Sequence, residues 1–295
     1  MMLKRGLAIL LGLTILAALP LRAPAEGAQG AGTAWRNILL LGGDSHEAQE
    51  YGETDSIIIV SLNFESNRVK FTSVMRDTYA AIPGMTGMRR LNEACLYGGP
   101  ELAVASVSEC FGVDIDRYMF INLAGLVRMI DLLGGVDLEV SEAEREWINV
   151  YAQDFAQQIG GYDGQTQLEE AGWAHLNGLL ALSYTRDRYS DSDYGRVMRQ
   201  QEMLLALAQR VQEADLRALL AGAAALAECV STNLTGEELR EIAALGLLTD
   251  LEEVERLRVP ADGTFNTAMA DDNWVIEPDL DSNRRLLREF IYGEE

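Results

Sequence analysis

The sequence predicts an α/β protein in which helices cover both faces of a sheet. Three observations carry that expectation. Short β-branched apolar runs interleave with longer segments of helical period, two of those segments stop at glycine, and 48% hydrophobic content over 295 residues is enough for a sizeable core.

Taken in order, the chain opens on Lys4 and Arg5, runs through an apolar stretch at 6–21 and reaches Ala23-Pro24-Ala25, the pattern of a secretory signal with its cleavage site. As a helix that stretch would extend roughly 24 Å, against a bilayer core of about 30 Å. It reads as a signal peptide or a short membrane anchor over 1–25, and both readings place the remainder outside the cytoplasm. Residues 26–34 are rich in Gly and Ala and read as a tether, with one domain expected over 35–295.

Residues 37–41 form a buried-strand candidate that ends at Gly42-Gly43. Residues 56–62 are β-branched and apolar, 63–67 read as a turn, and 68–74 alternate as the partner strand. Helical period returns at 100–111, with Pro100 in the first turn and Gly112 at the stop. A strand follows at 118–121, an apolar helix at 123–133 closed by Gly134-Gly135, and a strand at 136–140. The polar stretch 141–167 reads as an irregular surface excursion. Helices are expected at 173–183 and at 195–230, the second broken near Asp215. Thr235 and Glu238 have capping-box spacing for a further helix. Short strands at 256–259 and 274–276 and a helix at 281–290 complete the pattern.

A formal charge of -22 argues against nucleic acid, because a polyanion would be repelled by most of such a surface. Cys95, Cys110 and Cys229 match no zinc or redox spacing; they read as small buried residues, with a Cys95–Cys110 disulfide as the alternative. Two histidines, His46 and His175, exclude a multi-histidine metal centre, and His175 reads as a packing residue.

Against the acidic background, arginines gather in Tyr184-Thr185-Arg186-Asp187-Arg188 and in Asp193-Tyr194-Gly195-Arg196-Val197-Met198-Arg199-Gln200-Gln201. Planar guanidinium forks suit phosphate oxygens. On a helix, Arg196, Arg199 and Gln200 would share one face; on extended chain, Arg186 and Arg188 would point the same way. The alternative is an ion-pair network with Asp187, Asp191 and Asp193.

Two acids flank the predicted strands. Asp44 follows the first, and Asp55 precedes the second. If the second and third strands form a hairpin, Asp55 comes to lie beside Met75-Arg76-Asp77-Thr78. If the first also runs antiparallel to the second, Asp44 arrives at the same sheet edge. Paired carboxylates with open positions suit magnesium and a substrate phosphate, and magnesium beside guanidiniums is what pyrophosphate binding requires. Either acid alone reads as a strand-end cap or turn residue, and Asp77 as the structural partner of Arg76.

These pieces resemble the LytR-CpsA-Psr family of bacterial cell envelopes. The matching segments are Asn37-Ile38-Leu39-Leu40-Leu41-Gly42-Gly43-Asp44-Ser45, Thr54-Asp55-Ser56, Arg76-Asp77-Thr78, Arg90-Leu91-Asn92-Glu93-Ala94 with Tyr97-Gly98-Gly99-Pro100-Glu101, Gly134-Gly135-Val136-Asp137, the block from Leu176-Asn177-Gly178 to Arg188, and Asp193-Tyr194-Gly195-Arg196 through Gln201. They occur in the family's order. The resemblance implies a three-layer α/β/α sandwich with a mixed central sheet, outside the membrane.

It also implies a phosphotransferase that moves a glycopolymer from a polyprenyl-pyrophosphate carrier onto peptidoglycan. The alternatives are a pyrophosphatase acting on such lipids and a non-catalytic carrier-binding protein. Carried over by position, Asp44 and Asp55 would hold Mg2+, and Arg76, Arg186, Arg188, Arg196 and Gln200 would bind the pyrophosphate. Arg76, Asp77, Arg186 and Arg188 would form the catalytic group, with Asp77 either orienting Arg76 or accepting the proton of the attacking sugar hydroxyl. Partners would be the lipid-linked polymer, the wall acceptor and the membrane. Glu53 and Glu93 depart from the family pattern by adding negative charge near the proposed metal.

Overall fold

A computed structural model describes residues 34–43, 51–159, 161–187, 190, 193–214, 219, 230–270 and 272–293. In chain order the strands and helices are β1 (Trp35–Gly43), β2 (Thr54–Asn63), β3 (Arg68–Val74), β4 (Tyr79–Ala81), β5 (Met88–Arg90), α1 (Glu93–Phe111), β6 (Arg117–Asn122), α2 (Leu123–Leu132), β7 (Val136–Val140), α3 (Glu142–Gln158), β8 (Gly172–Leu176), α4 (Gly178–Arg186), α5 (Asp193–Glu213), β9 (Val230–Thr232), α6 (Gly236–Leu248), β10 (Glu255–Val259), β11 (Phe265–Ala270), β12 (Asn273–Pro278) and α7 (Leu280–Tyr292). The chain divides into two compact units. Among the described residues, one is drawn from 34–121, Ser231–Thr235 and 248–293, the other from Asn122–Val230 and Gly236–Leu247.

The first unit is organised by a six-stranded sheet in the order β10-β3-β2-β1-β6-β9. β1 pairs antiparallel with β2, placing Leu39 opposite Ile59, and β2 pairs antiparallel with β3. β10 joins β3 in parallel, so the sheet is mixed, as expected. Leu39, Leu41, Ile57 and Ile59 meet Val107 and Phe111 of α1 and Leu287 and Ile291 of α7 in one apolar cluster. Each such side chain removed from water contributes about 1.5–3 kcal/mol. One buried polar residue in β1, Asn37, has its side chain fully engaged. Asn37 donates to the Asp114 carbonyl at 3.0 Å and to Tyr292 Oη at 2.9 Å, and accepts from Ser61 at 2.7 Å.

α1 is two helical pieces. Gly98 and Gly99 leave helical geometry, Gly99 with φ 71°, and Pro100 starts the second piece where the sequence places a helix start. Gly112 closes it at φ 65°, its N–H donating to Ser108 at 2.8 Å. The hairpin of β4 and β5 was not foreseen, since three-residue strands carry too little pattern.

The second unit packs α2, α3, α4 and α5 around a cluster that includes Val127, Ile130, Ile148, Phe155, Leu179, Leu182 and Met203. Four expectations are corrected here. The stretch 141–167 contains α3, begun by a capping box in which Ser141 Oγ accepts from the Glu144 N–H and Glu144 returns to the Ser141 N–H at 2.8 Å. Its Glu, Gln and Arg content is ordinary for an exposed helix face, and Ile148, Ala152 and Phe155 supply a thin buried stripe.

The helix expected at 173–183 begins five residues later. Gly172–Leu176 is strand β8, paired with β7, and Asn177 caps α4 by accepting from the Leu180 N–H at 3.0 Å. His175 is therefore not a packing residue. It stands 57% exposed on the hairpin, bonded to Asp137 at 2.8 Å. α5 ends at Glu213, beside the expected break, and Val230 lies in β9 rather than in a helix. Cys95 and Cys110 are separate buried thiols, so the disulfide alternative is not realised, while Cys229 lies outside the described residues.

Candidate active site

The hairpin of β2 and β3 decides the first cluster. Antiparallel register puts Ile58 opposite Ser73, so the start of β2 lies against the chain leaving β3. Asp55 there accepts from Arg76 Nη1, and both side chains are about one-sixth exposed, 15% and 16%. Arg76 Nε lies 3.4 Å from Asp77 Oδ2. β1 follows β2 as far as Gly43, opposite Thr54 after a bulge, and a Cβ on Gly43 would meet the Phe120 ring at 2.5 Å. Asp44 comes next but lies outside the described residues.

A residue that sequence reasoning did not place in the site joins this cluster. Arg90, at the end of β5, reaches Asp77 Oδ1 at 3.7 Å, Glu53 at 3.3 Å and Glu93 at 3.0 Å. Backbone bonds bring it there: the Leu91 N–H donates to the Thr78 carbonyl at 2.8 Å and the Asn92 N–H to the Arg76 carbonyl at 3.1 Å. Asn92, wholly buried, donates to Glu53 at 2.9 Å. Arg89 reaches Glu93 at 3.5 Å and stacks on Tyr97 with its guanidinium 5.1 Å from the ring centroid. The signal was present in Arg90-Leu91-Asn92-Glu93, but only the β4–β5 hairpin assigns the arginine its partners.

The second unit holds the other arginines. Arg186 is the last residue of α4, not part of an extended segment; the helix continues past its expected end because Tyr184 and Thr185 are buried in the core. Its guanidinium lies 5.4 Å from the Phe155 ring centroid. Asp187 leaves the helix with φ -60° and ψ 131° and is fully buried. Arg188 lies outside the described residues.

α5 carries Arg196, Arg199 and Gln200 on one face, as the spacing predicts, and all three are buried. Arg199 donates to the Asp187 carbonyl at 2.7 Å and pairs with Glu144 at 3.2 Å, so it is a structural cross-brace between α5 and α3. Its ion pair is with Glu144, outside the expected network, while the Asp187 carboxylate stands 4.0 Å away. Tyr184 donates to Glu202 at 2.7 Å; burial first, and then that carboxylate, push the phenol far above its ordinary range. It stays protonated at neutral pH and cannot serve as a base.

The first cluster is chemically suited to a hard cation beside a phosphate. Its donors are carboxylate oxygens, magnesium's preferred ligands, and its guanidiniums offer paired N–H groups. Asp55 fits a cation site by donor type, although it already accepts from Arg76. Among the described residues, no three acids, histidines or cysteines gather as a complete ligand set, and no helix is long and apolar enough to cross a membrane. The segment expected as signal or anchor lies outside them.

The sequence profile of the LytR_cpsA_psr family matches residues 25–289. A polyisoprenyl-teichoic acid–peptidoglycan teichoic acid transferase, TagU of Bacillus cereus, is 32% identical over 230 residues, covering 77% of this chain and 69% of TagU. The structure of TagT bound to LIIa-WTA aligns with a TM-score of 0.71 at 21% identity, over 92% of this chain and 96% of that one. YwtF (TagT) with bound octaprenyl pyrophosphate lipid aligns with a TM-score of 0.65 at 22% identity, over 90% and 94%. At these identities the structural likeness establishes the fold.

Proposed function

The chain belongs to the LytR_cpsA_psr family, and on that premise we propose a phosphotransferase that moves an anionic glycopolymer from a polyprenyl-pyrophosphate carrier onto a peptidoglycan hydroxyl. The observation that carries this reading is the 32% identity with a teichoic acid transferase across 77% of the chain. The acid and arginine cluster around Arg76 supports it chemically. Such substrates belong to the outer face of the bacterial membrane, which is where we assign the protein.

In the reaction the acceptor hydroxyl oxygen attacks the phosphorus distal to the lipid. A new P–O bond forms, the bond from that phosphorus to the bridging oxygen breaks, and polyprenyl phosphate departs with the electron pair. The hydroxyl proton passes to a base. Charge grows on the phosphoryl oxygens and the bridging oxygen, where fixed guanidinium donors act most strongly. We assign Arg76, Arg186, Arg188, Arg196 and Gln200 to pyrophosphate oxygens, and Asp77 to positioning Arg76, which it faces at 3.4 Å. Asp55, with Asp44, would hold magnesium, which when bound neutralises pyrophosphate charge and leaves positions open to its oxygens.

The test is product identity. Purified protein, magnesium, labelled lipid-linked polymer and peptidoglycan fragments are expected to give label in the wall fragments with release of polyprenyl phosphate. Label that collects only as free polymer phosphate identifies a pyrophosphatase instead. Carrier binding without turnover identifies a binding protein. Arg186→Ala is expected to lower kcat/KM about 100-fold, the usual cost of one transition-state donor. Chelation of magnesium is expected to stop transfer, and transfer that persists in chelator removes the metal from the proposal.

A further inference from the structure

The first cluster poses an electrostatic problem for any phosphate ligand. Among the described residues, four carboxylates (Glu53, Asp55, Asp77 and Glu93) share it with three guanidiniums (Arg76, Arg89 and Arg90). The acids outnumber the bases beside a proposed anion site. Arg90 faces three of these acids. Its Nε, Nη1 and Nη2 each face a different acid, Glu93 at 3.0 Å, Asp77 at 3.7 Å and Glu53 at 3.3 Å.

We infer that Arg90 is a positioning residue for the reaction, a clamp that neutralises Glu53 and Glu93 and fixes Asp77 between two guanidiniums. The inference rests on the phosphotransfer reading. Charges alternate along an open path of contacts, Asp55 to Arg76, Arg76 to Asp77, Asp77 to Arg90 and Arg90 to Glu53, whose two acidic ends lie two residues apart in the chain. Asp77 presents Oδ2 to Arg76 and Oδ1 to Arg90, so neither guanidinium can turn without disturbing the other. Asn92 holds the remaining Glu53 oxygen at 2.9 Å. A lysine could not reproduce the arrangement, because one ammonium cannot face three acids in a fixed plane. Without Arg90, four carboxylates would face two guanidiniums among the described residues, and an incoming pyrophosphate would meet stronger repulsion.

The experiment pairs Arg90→Met with acid removal. Arg90→Met is expected to keep its fold by circular dichroism, to lower kcat at least 10-fold and to weaken magnesium-dependent binding of inorganic pyrophosphate by calorimetry. Adding Glu53→Gln and Glu93→Gln to it is expected to restore pyrophosphate affinity to within about threefold of the parent, which a merely structural arginine would not permit. Arg90→Lys, which retains the charge, covers the case in which the methionine variant fails to fold. It is expected to bind pyrophosphate several-fold more weakly and to recover on Glu53→Gln. Unchanged binding in both Arg90 variants, or weakened binding that acid removal leaves untouched, overturns the clamp. If the parent protein binds pyrophosphate but never transfers, the phosphotransfer reading fails while the calorimetric arm still judges Arg90.

Discussion

Arg199 is held at 3% exposure between the fully buried Asp187 and Glu144. Arg199→Met would remove the guanidinium that pairs with Glu144 and donates to the Asp187 carbonyl, and the expected loss is about 1.5–3 kcal/mol, read by urea unfolding. A variant as stable as the parent would mean the brace contributes nothing. Cys95 and Cys110 make a second residue-scale case. Burial is the main reason both thiols rise to about 12 from an ordinary 9.0. The folded state keeps protons there that the unfolded chain releases, so the stability tied to these thiols is complete below about pH 9 and declines as pH climbs toward 12. At pH 8, peptide mapping after iodoacetamide is expected to find neither residue alkylated until denaturant is added. Alkylation of either in the native protein would contradict the burial. Their burial was legible in the sequence, but only the structure separates the two thiols; Arg199's role as a brace was not legible, because its partner Glu144 lies 55 residues away.

At the scale of elements, α3 and α4 carry the clearest expectations. Ser141→Ala removes the side-chain half of the α3 capping box and is expected to cost about 1 kcal/mol, measured by thermal or urea unfolding. Gly178 opens α4 where no side chain fits, since a Cβ there would overlap the Val127 carbonyl of α2. The Gly178 N–H also donates to Asp131 at 2.7 Å, holding the helix start in place. Because backbone cannot retreat as a flexible side chain can, Gly178→Ala is expected to cost at least about 2–3 kcal/mol. A neutral effect would show that the helices separate easily. Both elements also mark where sequence pattern ran short. The capping box of α3 was written in Ser141 and Glu144, yet its buried stripe is too thin to announce a helix by hydrophobicity. β8 was mistaken for the first turn of α4, since Trp173, His175 and Leu176 fit either period over so short a stretch.

For the whole molecule, charge dominates long-range behaviour. A chain of formal charge -22 repels a lipid-linked anionic polymer within roughly a Debye length, about 10 Å at 0.1 M salt and 30 Å at 0.01 M, and is screened from it beyond that distance. The value of kcat/KM for such a substrate is therefore expected to rise with sodium chloride between those concentrations. A fall would mean that local guanidinium attraction outweighs the global field.

The sequence by itself determined the α/β class, the hairpin of β2 and β3, and through that hairpin the meeting of Asp55 with Arg76. Those features rest on periods of two and of about 3.6 residues and on turn chemistry, all local properties of the chain. It also placed Arg196 and Gln200 on one helix face, by the same kind of periodicity. The tertiary structure alone decided that Arg90 faces Glu53, Glu93 and Asp77, that Arg199 is a brace, and that Arg186 ends a helix. Such assignments depend on which side chains from distant segments come within about 4 Å, where Coulomb attraction is strong, and no local pattern encodes that distance.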